Sequence, residues 1–183
     1  MDSLVTASPA GAGRESAIAE AMWLRLRDMG FTRPPIDSYR VAAHSGVEVV
    51  EWPLPSNLAG LMVPSPGHPR IYVNLRHPWP RRQFTVMHEL VHAWFHEPAR
   101  CCPASLEPSA GNDLEREADA GAAAGKMPGH LVRAQAGLVG PDAPLLAHVF
   151  GVSRAAMTRR LAELGLAPAG PARGGGRRRP DGR

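Results

Sequence analysis

The chain has 183 residues, 44% of them hydrophobic and 5% aromatic, which suits one compact domain with a buried core. Its formal net charge of +4 is carried by residues 168–183, where five arginines accompany one aspartate, so the body has no net charge that would favour a nucleic-acid partner. The two cysteines, Cys101 and Cys102, are adjacent and exclude a disulfide framework, and no stretch is apolar enough for a signal peptide or a membrane span. We therefore expect a cytoplasmic protein.

Hydrophobic spacing and turn residues predict helices towards both ends of the chain and short strands between them. The predicted elements are a helix over 15–29, a helix over 38–45 with Asp37 as its N-cap, strands over 47–52, 58–63 and 70–74, a buried helix over 83–95, a loop over 98–112, a helix over 113–126 and two helical stretches within 145–164 joined near 151–153. Three short strands need a helix on one face to be stable. The predicted fold class is therefore α+β, with a small three-stranded sheet packed on helices.

The helix over 83–95 contains the motif His88-Glu89-Leu90-Val91-His92, an H-E-x-x-H. Residues four apart share a helix face, so both imidazoles can bind one zinc ion at about 2.0 to 2.1 Å. Glu89 lies about 100° around the helix, where its carboxylate can take a proton from a zinc-activated water that attacks a carbonyl carbon. The alternative is a pair of structural histidines, but burial of this polar set without a metal is costly.

A third ligand decides the class of zinc site. The metzincin pattern is excluded, because position 98 is a proline where that pattern requires a third histidine. The gluzincin pattern needs a glutamate on a following helix and an acidic residue one turn later, and Glu115 and Asp119 meet it. We expect Glu115 to bind the metal and Asp119 to accept a hydrogen bond from a ligand histidine. Glu117 is the competing ligand, but on a helix it points about 200° away from Glu115.

Two stretches carry a resemblance to a known family. The first is 82–92 (RQFTVMHELVH), with His96 one turn later, and the second is 115–119 (EREAD), followed by Met127-Pro128. They resemble the metal motifs of the ImmA/IrrE family of metallo-endopeptidases. Shorter matches on either side extend the similarity to about residues 15–166.

This resemblance implies a zinc-dependent intracellular endopeptidase with a zincin-like fold. One zinc ion would be bound by His88, His92 and Glu115, with Glu89 as the general base and Asp119 as the hydrogen-bond partner of a ligand. The family typically cleaves a helix-turn-helix transcriptional repressor in phage, mobile-element or stress-response circuits. Such a repressor is therefore the expected protein substrate.

The sequence departs from the family pattern at two positions. Val91 stands where the family usually has glycine, and Gly121 stands where it usually has phenylalanine. Both are packing positions rather than metal ligands. We therefore expect an altered fit between the two site helices, with a weakly packed Gly/Ala-rich stretch over 120–125.

The expected organisation has four parts. These are a disordered N-terminus over 1–13, the zinc metallopeptidase domain over 14–130, a C-terminal helical element over 131–167 that resembles a helix-turn-helix, and a disordered Arg/Gly/Pro tail over 168–183.

The C-terminal element leaves a second class of function open. Residues 145–164 could read DNA through Arg154, Arg159 and Arg160, or could form a helical cap and docking surface for the substrate. The neutral charge of the body favours the cap over the nucleic-acid partner. The alternative function is a non-enzymatic regulator that binds DNA or a partner through this element, with a degenerate or structural zinc site. The sequence leaves the oligomeric state open.

Several other residues are weaker candidates. Tyr72 and Arg82 are the nearest in chain order to stabilise the developing oxyanion. The strand over 71–74 is either an edge strand that pairs with the substrate or an ordinary sheet strand. His96 is interpreted as a packed or hydrogen-bonded residue at a helix end, and the cysteine pair as two free thiols in a loop.

Overall fold

The computed structural model describes residues 9–63, 65–96 and 108–166. Within these ranges the chain forms seven helices and one three-stranded sheet. The elements are α1 (Pro9–Asp28), α2 (Ser38–His44), β1 (Glu48–Trp52), β2 (Gly60–Val63), β3 (Arg70–Asn74), α3 (Trp79–Phe95), α4 (Pro108–Lys126), α5 (Gly129–Val139), α6 (Ala143–Phe150) and α7 (Arg154–Glu163). The α+β class is confirmed, and Asp37 caps α2 by accepting hydrogen bonds from the backbone N–H groups of Tyr39 and Arg40.

Four helices begin earlier than the sequence predicts, each at or beside a proline, and the smallest difference is at α6, which begins at Ala143 rather than at 145. Helix α1 begins at Pro9, so 9–13 are helical rather than disordered, and α4 begins at Pro108, so the predicted loop is too long at its C-terminal end. Helix α3 begins at Trp79 with Pro80 in its first turn. Proline is tolerated there because the first N–H groups of a helix have no intrahelical partner.

The sequence does not predict helix α5, which follows directly on Met127-Pro128. The cysteine pair and the arginine-rich tail lie outside the described residues, as do residues 1–8. Within the described part of the chain, no helix combines the length and apolar character needed to cross a membrane.

The sheet has the order β1-β3-β2, with β1 parallel and β2 antiparallel to the central strand β3. Ile71 and Val73 of β3 are fully buried against the helices, and α3 contacts both β2 and β3. Of the two alternatives for the strand over 71–74, the structure has the ordinary sheet strand and not the edge strand. Because its hydrogen bonds on both sides are used by β1 and β2, only those two strands have a free edge.

The buried side chains form two hydrophobic clusters. The first joins α1, α2, the sheet, α3 and α4, and the second joins the end of α4 to α5, α6 and α7. The second cluster contains Met127, Val132, Ala136, Leu146, Ala147, Phe150, Met157 and Leu161. The C-terminal helices therefore have a core of their own, which continues from the helix that carries Glu115.

A buried lysine connects the end of α4 to α2 and α3. Lys126 is the single lysine of the chain, and its Nζ lies 3.0 Å from Gln83 Oε1 and also donates to the carbonyl of Ile36. Gln83 in turn donates to Asp37, the cap of α2. Burial lowers the pKa of Lys126 to about 8, although Asp37 opposes the shift. This network fixes the helix that carries Glu115 relative to the helix that carries the two histidines.

The two departures from the family pattern meet each other in the fold. A Cβ added to Gly121 would lie 2.8 Å from Cγ2 of Val91 and 3.0 Å from Cγ2 of Ile18. A Cβ added to Gly125, one turn later, would lie 3.2 Å from Cγ of Met87 on α3. In both contacts the larger side chain is on α3 and the glycine is on α4. The stretch over 120–125 therefore packs closely against α3, in contrast to the weak packing expected from the sequence.

This contact predicts that Gly121→Ala will destabilise the protein. Alanine gains about 1 kcal/mol in helix propensity, but displacing the stiff side chain of Val91 costs about 1 to 3 kcal/mol. We expect the loss to be smaller when Val91→Ala is added, with a coupling of about 1 kcal/mol in a double-mutant cycle measured by urea unfolding. Additive effects of the two substitutions would contradict this account of the packing.

Candidate metal centre and substrate cleft

Helices α3 and α4 bring three metal-ligating side chains to one point. Nε2 of His88 and Nε2 of His92 lie 3.0 Å apart, and the carboxylate of Glu115 lies 3.2 Å from the first and 3.4 Å from the second. Zinc bound at 2.0 to 2.1 Å in a tetrahedron has ligand atoms about 3.3 Å apart. The three side chains would therefore fit a zinc-sized cation, and His88 and Glu115 also line a cleft.

Asp119 fixes the tautomer of the first ligand. Its Oδ1 lies 2.9 Å from Nδ1 of His88, and an ionised carboxylate can only accept. His88 therefore carries its proton on Nδ1 and presents the lone pair of Nε2 to the cation position. Without the cation, burial opposes a charge on His88, but the hydrogen bonds with Asp119 and Glu115 outweigh it and raise the pKa to about 9. The same hydrogen bonds with His88 and His92 hold the pKa of Glu115 well below its usual range.

Glu89 is adjacent to the ligands but is not one of them. Burial raises the pKa of its carboxyl, while the nearby His88 and His92 and a hydrogen bond from the Met62 backbone act in the opposite direction. A carboxylate whose pKa is raised towards neutrality is better suited to accept and return a proton at neutral pH. Its position beside the cation point is the position expected of a general base.

The site opens into a cleft of about 670 Å³. Its walls come from four parts of the chain: the segment that enters β2, helix α3, helix α4 and the start of α7. The lining residues include Gly60, Arg81, Phe84, His88, Glu89, Glu115, Asp119, Ser153, Ala156 and Arg159. The C-terminal helices therefore form one wall of the cleft. This position corresponds to the cap and docking surface that the sequence left open as an alternative to DNA binding.

Strand β2 borders the cleft with its free edge. Asn74 N donates to Ala59 O, so in the antiparallel pair Leu61 and Val63 also bond to β3, and the backbone groups of Gly60 and Met62 face outward. The hydrogen bond between Met62 and Glu89 agrees with this orientation. An extended peptide could add to this edge by main-chain hydrogen bonds.

Two residues that the sequence did not single out shape this edge. Asn74 is fully buried, and its Nδ2 donates to the carbonyls of Leu54, Pro55 and Leu58, which holds the turn before β2. A Cβ added to Gly60 would lie 2.5 Å from Cγ2 of Thr85 and 2.8 Å from the carbonyl oxygen of Tyr72. Only glycine allows β2 to lie this close to α3. A lone buried Asn at a strand end is the signal that could have indicated the first of these roles.

The structure does not bring the two predicted oxyanion stabilisers to the cleft. Tyr72 alternates with the buried Ile71 and Val73, so it lies on the opposite face of the sheet from α3. Arg82 forms an ion pair with Glu51 of β1, with its Nη1 2.5 Å from Oε1. Glu117 points away from Glu115, as its helix position predicts, and lies in the core.

Three comparisons relate this chain to known proteins. The model of the IrrE N-terminal-like domain, labelled Peptidase_M78, matches residues 42–162. No curated protein matches the chain. A solved structure titled "Mycobacterium tuberculosis transcriptional regulator" is similar in fold, with a TM-score of 0.61 and 18% sequence identity over 82% of this chain. The matched region is 49% of that structure's length, so this chain spans about half of it. Since the family model covers more than half of the residues and includes both metal motifs, the chain belongs to the ImmA/IrrE family, with an IrrE N-terminal-like domain.

Proposed function

We propose that this protein is a zinc-dependent endopeptidase that hydrolyses a peptide bond in a protein substrate. The observation that carries the proposal is the convergence of His88, His92 and the carboxylate of Glu115 at distances that suit one zinc ion, with the half-buried carboxylate of Glu89 beside them in an open cleft. Structural zinc sites have four protein ligands, whereas this cluster offers three among the described residues.

Each residue has a defined task in the proposed reaction. Bound zinc would act as a Lewis acid, polarising the scissile carbonyl and making water a stronger nucleophile. Glu89 takes one proton from the attacking water, so that a C–O bond forms at the carbonyl carbon. The same carboxyl then returns the proton to the amide nitrogen as the C–N bond breaks, which leaves a carboxylic acid and an amine, and these exchange a proton in water to give a carboxylate and an ammonium group. Asp119 keeps His88 in the orientation and tautomer that the site needs.

The cleft suits an extended segment of polypeptide. The backbone N–H and carbonyl of Gly60 and the carbonyl of Met62 would pair with the substrate main chain, since the Met62 N–H already donates to Glu89. Phe84 and the apolar residues of the α7 wall would contact the substrate side chains. Arg81 and Arg159 add positive charge on two sides of the cleft, and neither forms an ion pair with another described residue. We therefore expect the preferred substrate segment to carry an acidic side chain.

The proposed substrate is a helix-turn-helix transcriptional repressor. The family resemblance supports this, and the similar structure is titled a transcriptional regulator. The test is co-expression with such a repressor, ideally one encoded by an adjacent gene, followed by a search for cleavage that a zinc chelator abolishes. The absence of cleavage of any such neighbour would argue against this substrate class.

The second candidate function is a regulator that binds DNA or a partner through residues 145–164. The position of α7 favours substrate docking instead, because Ser153, Ala156 and Arg159 face the cleft that contains Glu89. Arg160 is already engaged, since it donates to the carbonyl of Met127 and pairs with Glu163. The helix-turn-helix character of this element remains a prediction.

The cleft wall predicts different effects for two arginines on the same helix. Arg159→Ala should lower kcat/KM for an acidic substrate about tenfold, the size of one charge-assisted hydrogen bond, while zinc content stays unchanged. Arg154→Ala is the matched control, because Arg154 is exposed on α7 but does not line the cleft. Equal effects of both substitutions on cleavage, or an effect of both on DNA binding alone, would contradict the docking role.

A further inference from the structure

A buried polar chain extends from the second metal ligand to the N-terminal helix. Nδ1 of His92 lies 2.9 Å from Nδ1 of His96, and Nε2 of His96 lies 3.1 Å from Oε2 of Glu117. The other oxygen of Glu117 lies 2.8 Å from Nε of Arg14 in α1. The side chains of His96 and Glu117 are 0% and 4% exposed, so this chain crosses the core between α1, α3 and α4.

The direction of each hydrogen bond in this series follows from Arg14, the group at its outer end. Arg14 has only donors, so the carboxylate of Glu117 accepts from it. His96 must then donate from Nε2, which leaves its Nδ1 as an acceptor. Two facing Nδ1 atoms cannot both be bare, so His92 donates from Nδ1. Its Nε2 is therefore a bare lone pair.

This tautomer completes an acceptor-only cluster at the candidate metal centre. With a metal bound, Nε2 of His88 presents a lone pair while Asp119 accepts from its Nδ1, and Nε2 of His92 presents a lone pair while its Nδ1 donates to His96. These lone pairs face each other at 3.0 Å, with the carboxylate of Glu115 beside them. Such a set is repulsive unless a cation lies between its members.

We propose that His96 and Glu117 are positioning residues for the metal ligand His92, and that Arg14 connects this metal centre to helix α1. Asp119 would orient His88 from the exposed side of the site. The hydrogen-bonded series of His96, Glu117 and Arg14 would orient His92 from the core. This inference rests on the metal centre of the proposed function, and it assigns residues to which that function gives no role.

The test compares the zinc affinity of the full chain and its variants by competition with a chelator. His96→Phe keeps the ring volume but removes the acceptor for Nδ1 of His92, and Glu117→Met keeps the volume but removes the charge. Each should weaken zinc binding about 10- to 100-fold, the range for a hydrogen-bond partner of a metal ligand. Glu117→Gln keeps an acceptor for His96 and should restore most of the affinity.

A control separates positioning from simple destabilisation. Leu161→Ala removes a fully packed side chain from the other hydrophobic cluster, so it should lower the unfolding midpoint without changing the zinc affinity. The order of the variants by zinc affinity should therefore differ from their order by thermal stability, measured on the zinc-free proteins. If His96→Phe does not fold, the comparison of Glu117→Met with Glu117→Gln decides.

The outcomes distinguish this inference from the proposed function. Zinc binding by His96→Phe and Glu117→Met as tight as that of the wild type would overturn the positioning role and leave the metal centre intact. If the wild type did not bind zinc, or if His92→Ala bound it equally well, both the metal centre and the positioning role would be overturned.

Discussion

Replacing Glu89 by glutamine is expected to abolish cleavage while the protein still folds and still binds zinc. The amide has nearly the shape of the carboxylate and remains a hydrogen-bond acceptor for the Met62 backbone, but it cannot take a proton from water. General acid–base catalysis contributes about 10²- to 10⁴-fold to rates, so cleavage should fall by at least this factor. Cleavage of the co-expressed repressor, followed by mass spectrometry of the products, measures the loss.

The zinc content of Glu89→Gln is the necessary control for this experiment. Stoichiometric zinc with no cleavage would locate the defect in proton transfer, because the ligands His88, His92 and Glu115 are unchanged. Undiminished cleavage by this variant would refute the proposed mechanism. A different general base would then be required, whereas a wild type that cleaves no protein would favour the second candidate, a regulator acting through residues 145–164.

Removal of a single metal ligand is expected to have the largest effect on zinc binding. His92→Ala and Glu115→Ala each leave two protein ligands, so zinc affinity should fall by more than the roughly 100-fold cost of losing only a hydrogen-bond partner of a ligand. The effect of Glu115→Ala on folding should be small, because its side chain is 63% exposed. Metal analysis after dialysis against a weak chelator gives the occupancy directly.

Asp113→Ala is the matched control for the substitution at Glu115. Asp113 is an exposed carboxylate on the same helix, and it pairs with Arg116 rather than with a histidine. We expect full zinc content in this variant. Full zinc content in Glu115→Ala as well would show that another group binds the metal, and it would require a different arrangement of α4.

Much of the site could be predicted from the sequence because its chemistry is local. The helical spacing of His88 and His92 places both on one face, and the same spacing places Glu115 and Asp119 together while turning Glu117 away. Val91 and Gly121 could each be recognised as a departure from the family pattern. Their contact could not, because it depends on the register between α3 and α4.

The roles of Tyr72 and Arg82 show where sequence proximity fails. Both are near the motif in chain order, but strand alternation directs Tyr72 to the far face of the sheet, and the ion pair with Glu51 holds Arg82 beside β1. Arg159 is far from the motif in sequence and yet lines its cleft. The distance along the chain is a poor guide when separate helices and strands enclose a cavity.

The sequence by itself determined the α+β class through its alternation of helical and strand patterns, and it predicted the ligand set and the general base of the proposed reaction through helical periodicity within short segments. Only the tertiary structure decided which strand borders the cleft, which helix forms its second wall and which buried groups stand behind His92. Those features depend on strand order and on the packing of helices distant in sequence. Gly60 and Gly121 allow close approach of neighbouring elements because they have no Cβ. Which element approaches each glycine is known only from the folded structure.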